Sequence, residues 1–206
     1  METIEILKLL QKGIHSTIVA TIDSDGLPVT CVIDMMLADE NGLYFLTAKG
    51  KSFYERLIKK KFIAVTGLKG ETTMTSVSVN LRGRVRDIGP GLLPEIFEKN
   101  PYMAEIYPSE ASRQALTVFQ IYEASGEILD LSRRPIFRQS FSYGGEAVRQ
   151  TGYRILPDLC IGCGKCVMVC PQNCITGKTP KQIEQSHCLH CGNCKSVCPV
   201  DAVLRE

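Results

Sequence analysis

A chain of 206 residues with 24 Lys and Arg against 22 Asp and Glu carries a formal charge of +2. That balance gives no reason to expect nucleic acid or an anionic membrane as partner, and the length suits one ordinary domain plus a small one. Nine of the ten cysteines fall between Cys160 and Cys198; in a reducing, cytoplasmic setting such clustering points to metal rather than disulfides.

The opening METIEILKLLQKGI interleaves Ile6, Leu7, Leu10 and Ile14 with Glu2, Glu5 and Lys8, which predicts an amphipathic helix rather than an export signal, and no membrane span follows. Residues 17–22, 28–36 and 43–47 read as strands of a meander, broken at Asp23-Ser24-Asp25-Gly26 and Asp39-Glu40-Asn41-Gly42. Ser52 is placed to N-cap a helix with Phe53, Leu57 and Ile58 on one face and Lys59, Lys60 and Lys61 at its C-terminal end, where the macrodipole favours cations. Residues 63–68 and 76–86 follow as strands, the second alternating Val77, Val79 and Leu81 with Ser78, Asn80 and Arg82.

Gly89-Pro90-Gly91 opens a helical interlude over 92–114. Two closing strands, 116–122 and 127–131, are expected to be joined by a turn at Ala124-Ser125-Gly126. The strand-rich front predicts a mainly β (α+β) chain with an N-terminal barrel. Residues 132–152 read as a linker or arm with solvated arginines, so the expected domains are 1–145 and 146–206.

In that tail C-x2-C-x2-C-x3-C-P occurs twice: Cys160, Cys163, Cys166, Cys170, Pro171, then Cys188, Cys191, Cys194, Cys198, Pro199. Three thiolates at steps of three can wrap three corners of an iron–sulfur cube, the fourth sulfur coming from elsewhere. CxxC pairs also occur in zinc sites, but a tetrahedral site built from two knuckles has no use for the third Cys and the x3-C-P extension. At an offset of 28 the halves align further, pairing Ile155 with Ile183, Ile175 with Val203 and Cys174 with Ala202. Cys174 therefore reads as a small packed hydrophobe, and His187 and His190 as exposed loop histidines. A module this small needs its metal to fold.

Residues 153–206 resemble the two-cluster bacterial ferredoxins. In that pattern the fourth Cys of each run ligates the other cluster. The resemblance implies two 4Fe-4S clusters, one on Cys160, Cys163, Cys166 and Cys198, the other on Cys188, Cys191, Cys194 and Cys170, with one-electron carriage at low potential.

The stretch DGLPVTCVIDMMLADENGLYFLTAKGKSFYERL, residues 25–57, resembles the FMN-binding split barrel of the pyridoxamine 5′-phosphate oxidase-like superfamily, and the likeness runs more loosely over residues 1–145. It implies FMN, with its phosphate near Thr47, Lys51 and Ser52, where free backbone N–H groups at a helix start meet an ammonium; Lys49 is a weaker candidate. Val32, Ile33 and Asp34 would line the ring with their backbone, and Ser78 would reach its edge. Cys31, on that strand, reads as a packed side chain. A homodimer with the cofactor at its interface is implied, Arg138, Ser140, Phe141 and Tyr143 reaching the neighbour's flavin.

The chain departs from true pyridoxamine phosphate oxidases: it has no Trp and lacks their Arg-bearing C-terminal signature, so vitamin B6 oxidation is not expected. Clusters that oxygen attacks suit an anaerobe. Two functions are expected. One is a flavin and iron–sulfur oxidoreductase that couples two-electron chemistry at FMN to one-electron transfer, with a redox protein or a nicotinamide nucleotide as partner. The other is an electron carrier or redox sensor without its own substrate. No G-x-G-x-x-G follows a strand, and no acid–base pair stands out.

Overall fold

The computed structural model describes residues 1–149 and 151–206. The N-terminal helix forms as α1 (Thr3–Lys8) and runs on as a π-helical segment, Leu9–Ile14. Its apolar side, Ile6, Leu7 and Leu10, is buried.

The front is an antiparallel sheet of eight strands: β1 (Ser16–Ile22), β2 (Pro28–Asp34), β3 (Leu37–Asp39), β4 (Gly42–Ala48), β5 (Phe62–Lys69), β6 (Val77–Gly89), β7 (Leu116–Asp130) and β8 (Phe137–Tyr143). Their order is β2-β1-β5-β6-β7-β4-β3, with β8 also on β7. β6 follows β7 along its length, whereas the other edge of β7 is shared, β4 taking residues 116–121 and β8 taking 124–130. That division splits the barrel. Alternation closes it over a core: Val79, Leu81 and Val85 of β6 face inward with Phe45, Phe119, Ile121 and Ile128, and the rings of Phe45 and Phe119 stack at 5.7 Å.

Helix α2 (Ser52–Lys60) lays Phe53 and Leu57 on this core. Three short helices, α3 (Leu93–Lys99), α4 (Met103–Ile106) and α5 (Glu110–Arg113), make up the interlude. They enclose a second cluster, in which Ile96, Phe97 and Met103 meet Tyr44, Leu46 and Val118.

Two expectations change. The turn at Ala124-Ser125-Gly126 does not exist, since these residues lie inside the 15-residue β7. Gly126 is needed there for close approach: a Cβ would strike Asn80 O on β6 and the Phe141 ring on β8. Nor is 132–152 a linker throughout. Its residues 137–143 form β8, whose Phe141 is 2% exposed in the barrel core, so this side chain cannot reach a neighbour's cofactor.

The tail contains β9 (Tyr153–Ile155), α6 (Lys165–Met168), β10 (Ile175–Thr176), β11 (Gln182–Ile183), α7 (Asn193–Ser196) and β12 (Val203–Arg205). The 28-residue repeat becomes a structural exchange. The first strand of one half pairs with the last strand of the other, Ile155 opposite Val203 and Ile183 opposite Ile175. Among the described residues no helix is long and apolar enough to cross a membrane.

Candidate functional site

In the tail, each C-x2-C-x2-C run curls into a loop and passes into a single-turn helix, α6 or α7, behind a glycine with positive φ, Gly164 at 78° and Gly192 at 83°. Because the halves exchange strands, the last Cys of each run is carried to the other loop. One cavity is lined by Cys160, Cys163, Cys166 and Cys198; the other by Cys170, Cys188, Cys191 and Cys194, with Cys174 beside them. The thiols stand around a space, and among the described residues no three His, Cys, Asp or Glu converge on one ion-sized point.

Backbone N–H groups donate to these sulfurs: Lys181 to Cys160 at 3.4 Å, His190 to Cys188 at 3.4 Å and Ala202 to Cys198 at 3.2 Å. Hydrogen bonds of this kind to cysteine sulfur are among the features that tune an iron–sulfur cluster. The Cys170 and Cys174 sulfurs are 3.3 Å apart. Burial, then the bond to Cys170, pushes the Cys174 thiol up. Burial also works against Cys170, but hydrogen bonds from Cys174, Gln172 and Asn173 outweigh it and bring its thiol down. Cys174, 2% exposed, packs behind Cys170. A cube held by four thiolates fits each cavity.

His190 corrects the reading of loop histidines. At the offset of 28 it occupies the place of Gly162 and shares its left-handed conformation, φ 56° against 70°, which a residue with a Cβ rarely adopts. Arg138 of β8 donates to its Nδ1 at 2.6 Å and reaches Glu127 at 3.2 Å. Arg138 is 13% exposed, so this arginine is not solvated as expected. Burial, followed by the charges of Arg138 and Arg205, lowers the His190 pKa. Arg138 Nε and His190 Nε2 are both buried without a partner among the described residues. His187 is not an exposed loop residue either: it ends a 3-10 turn, Gln185–His187, half-buried, with its Nδ1 3.3 Å from Ser186 Oγ.

At the front, Thr47 faces the barrel core near the end of β4, 3% exposed, and its Oγ1 finds no hydrogen-bond partner among the described residues. A buried hydroxyl left in that state costs about 1–3 kcal/mol. The chain turns two residues later into α2, where Lys51, not Ser52, is the N-cap and carries no side-chain cap. Ser52 Oγ accepts from Arg56 at 3.2 Å, and Arg56 donates onward to Thr21 at 2.8 Å. Burial raises the Cys31 pKa while Arg56 and Lys51 oppose it, so both cations act at the inner side of β2. That side, Val29, Cys31 and Ile33, is only half-buried. Free N–H groups at a helix start, two cations and one unsatisfied hydroxyl fit a phosphate group. Lys49 is exposed, its N–H bonded to Ala115 O.

Val32 and Ser78 lie apart from this group, on the outer face of the sheet. Cross-strand partners make that face explicit: Val32 stands opposite Ile18, Ile18 opposite Thr66, and Thr66 opposite Asn80, while Ser78 stands opposite Leu68. Ile18, Val32 and Leu68 are exposed there. The Asp34 carboxylate accepts from Ser16 at 2.6 Å and Tyr102 at 2.9 Å, and the Tyr102 hydroxyl is 2.7 Å from His15 Nε2. Burial first, then Asp34, raises the Tyr102 pKa and keeps it a donor. The positions of His15, Asp34 and Tyr102, 68 residues apart at most from Asp34, left no local pattern to find; Arg56 could have been found at i+4 from Ser52 on α2.

Residues 159–202 match the family described as 4Fe-4S dicluster domain. No curated protein matches the chain. A solved NimC/NimA family protein from Clostridium acetobutylicum superimposes with a TM-score of 0.54 at 17% identity, over 67% of this chain and 87% of that one. A heme binding protein from Mycobacterium smegmatis gives 0.49 at 11%, over 69% and 58%. A pyridoxamine 5′-phosphate oxidase-related, FMN binding protein from Nostoc punctiforme gives 0.44 at 14%, over 66% and 87%. Such identities speak to fold alone, and the first carries that comparison. The front of the chain thus shares the fold of the NimC/NimA family protein, and its tail, residues 159–202, is similar to a 4Fe-4S dicluster domain.

Proposed function

We propose that the protein is a flavin and iron–sulfur oxidoreductase, with FMN on domain 1–145 and two 4Fe-4S clusters on domain 146–206. The observation that carries the reading is the pair of four-sulfur cavities, each completed by the last Cys of the other run. Cys160, Cys163, Cys166 and Cys198 hold one cluster, and Cys188, Cys191, Cys194 and Cys170 the other. When bound, FMN supplies electron exchange in pairs or singly and the clusters supply one-electron carriage.

The residues of this chain bind and orient. Lys51 and Arg56, the α2 N–H groups and the Thr47 hydroxyl take the flavin phosphate, and Ile33 offers its half-buried side to the ring. Val32 and Ser78 lie on the opposite face, among exposed Ile18 and Leu68. That separation supports a homodimer in which these residues meet the neighbour's cofactor. Nine clustered cysteines, eight of them at metal-ligand spacing, support a reducing, cytoplasmic setting.

A nicotinamide nucleotide or a redox protein supplies or takes the electrons. Anaerobic titration of the holoprotein with NADH, NADPH and dithionite, followed by flavin and cluster absorbance, tests this. Prompt bleaching of both chromophores by a nicotinamide supports the enzyme. Bleaching by dithionite alone would leave the second reading, a carrier or sensor without its own substrate, which the missing G-x-G-x-x-G favours.

A further inference from the structure

The two cysteine loops are equivalent in sequence but not in surroundings. The loop of Cys188 and Cys191 faces the barrel: Arg138 of β8 binds His190 between them at 2.6 Å, and Gly152 packs against the same imidazole. Among the described residues the loop of Cys160 and Cys163 has no such cover. Ile161, which lines its cavity, is 61% exposed, Leu159 is exposed, and Met168 is 86% exposed. At the offset of 28 the other half has half-buried Leu189 in place of Ile161 and Ser196 in place of Met168. Apolar side chains left in water at one loop alone mark a surface that something covers.

The charge around them indicates what covers it. Lys165 and Lys181 line the same cavity as Ile161, and the backbone of Lys178 lies against Gly162. Lys165 and Met168 are three apart on α6 and share a side. Residues 156–181 hold these three lysines and one acid, Asp158. An apolar centre carrying Met within a cationic rim suits a protein whose own rim is acidic.

We propose that this face is the docking surface for an acidic one-electron carrier protein, so that electrons cross to the partner at the first loop while the second loop faces the barrel. The proposal rests on the iron–sulfur reading. In each encounter one electron passes between the partner's centre and the first cluster, and no bond or proton is exchanged.

The halves also supply mild variants: Lys165→Asn copies Asn193 and Met168→Ser copies Ser196. Dithionite-reduced holoprotein is mixed by stopped flow with cytochrome c, which is basic, or with its succinylated, acidic form, after iron and sulfide analysis of each preparation. The acidic form should react faster at low salt and slow as salt rises; Lys165→Asn with Lys178→Glu should slow it about tenfold without slowing the native form. Met168→Ser should slow both by about threefold. Equal rates for the two forms, or unchanged rates in the variants, at full cluster content would overturn the docking surface. So would a change of oligomeric state in Met168→Ser, which would give the face to a second copy of the chain. A preparation without cluster iron would instead overturn the reading beneath, and the proposal with it.

Discussion

The barrel and the tail solve the same problem with different materials. In the barrel, buried side chains such as Phe45, Phe119 and Ile121 converge from several strands and two helical segments, and the central cluster is apolar. In the tail the buried cluster is Cys166, Cys174, Ile175, Cys188, Cys194 and Val203, so most of what would be its core is sulfur, three of the six being proposed ligands. Its strands are two or three residues long. Apolar burial at about 25 cal/mol per Å2 can hold the first region without help. The second has a small cluster, and on the proposed reading its fold depends on what the sulfurs bind.

That contrast can be broken at either end. Cys188→Ser should have the largest effect, taking iron from about eight per chain to about four or fewer and opening the tail to protease, with the barrel's thermal transition unmoved. Phe45→Ala should cost about 3–5 kcal/mol by leaving a cavity in a fully buried stack, read as a lower denaturant midpoint for the barrel at unchanged iron content. If either variant damages the other region equally, the two are one cooperative unit.

The junction is the next test. Arg138→Met keeps bulk but strips Glu127 and His190 of their partner, at about 1–3 kcal/mol, and should speed proteolysis between β8 and β9 while leaving both chromophores in place. Smallest is Thr47→Val. Removing an unpartnered buried hydroxyl should raise the stability of the flavin-free barrel by about 1 kcal/mol while weakening FMN about tenfold, or about 1.4 kcal/mol. Calorimetry and flavin titration of the same protein read the two signs; a loss in both would mean that the hydroxyl already has a partner.

The sequence made the tail far more legible than the front. Ligand spacing is local, so the repeat was visible, and the resemblance to two-cluster ferredoxins implied the grouping of four cysteines per cavity; the strand exchange at Ile155 and Ile183 was not foreseen. Most barrel strands were visible through alternation. The misreading of Ala124-Ser125-Gly126 came from treating small residues as a turn when Gly126 answers to backbone on both sides of β7. β8 was missed because the charges around it suggested solvent. The pairings of Arg138 with His190 and of Tyr102 with His15 were invisible for a different reason: the partners lie across the fold, and no window of sequence contains both.

The central claim is tested most directly by counting iron, acid-labile sulfide and flavin in the intact chain isolated without air. Two cubane clusters and one flavin require about eight irons, eight sulfides and one FMN per chain. Protein that folds normally with zinc in the cysteine loops, or with neither iron nor flavin, would contradict it.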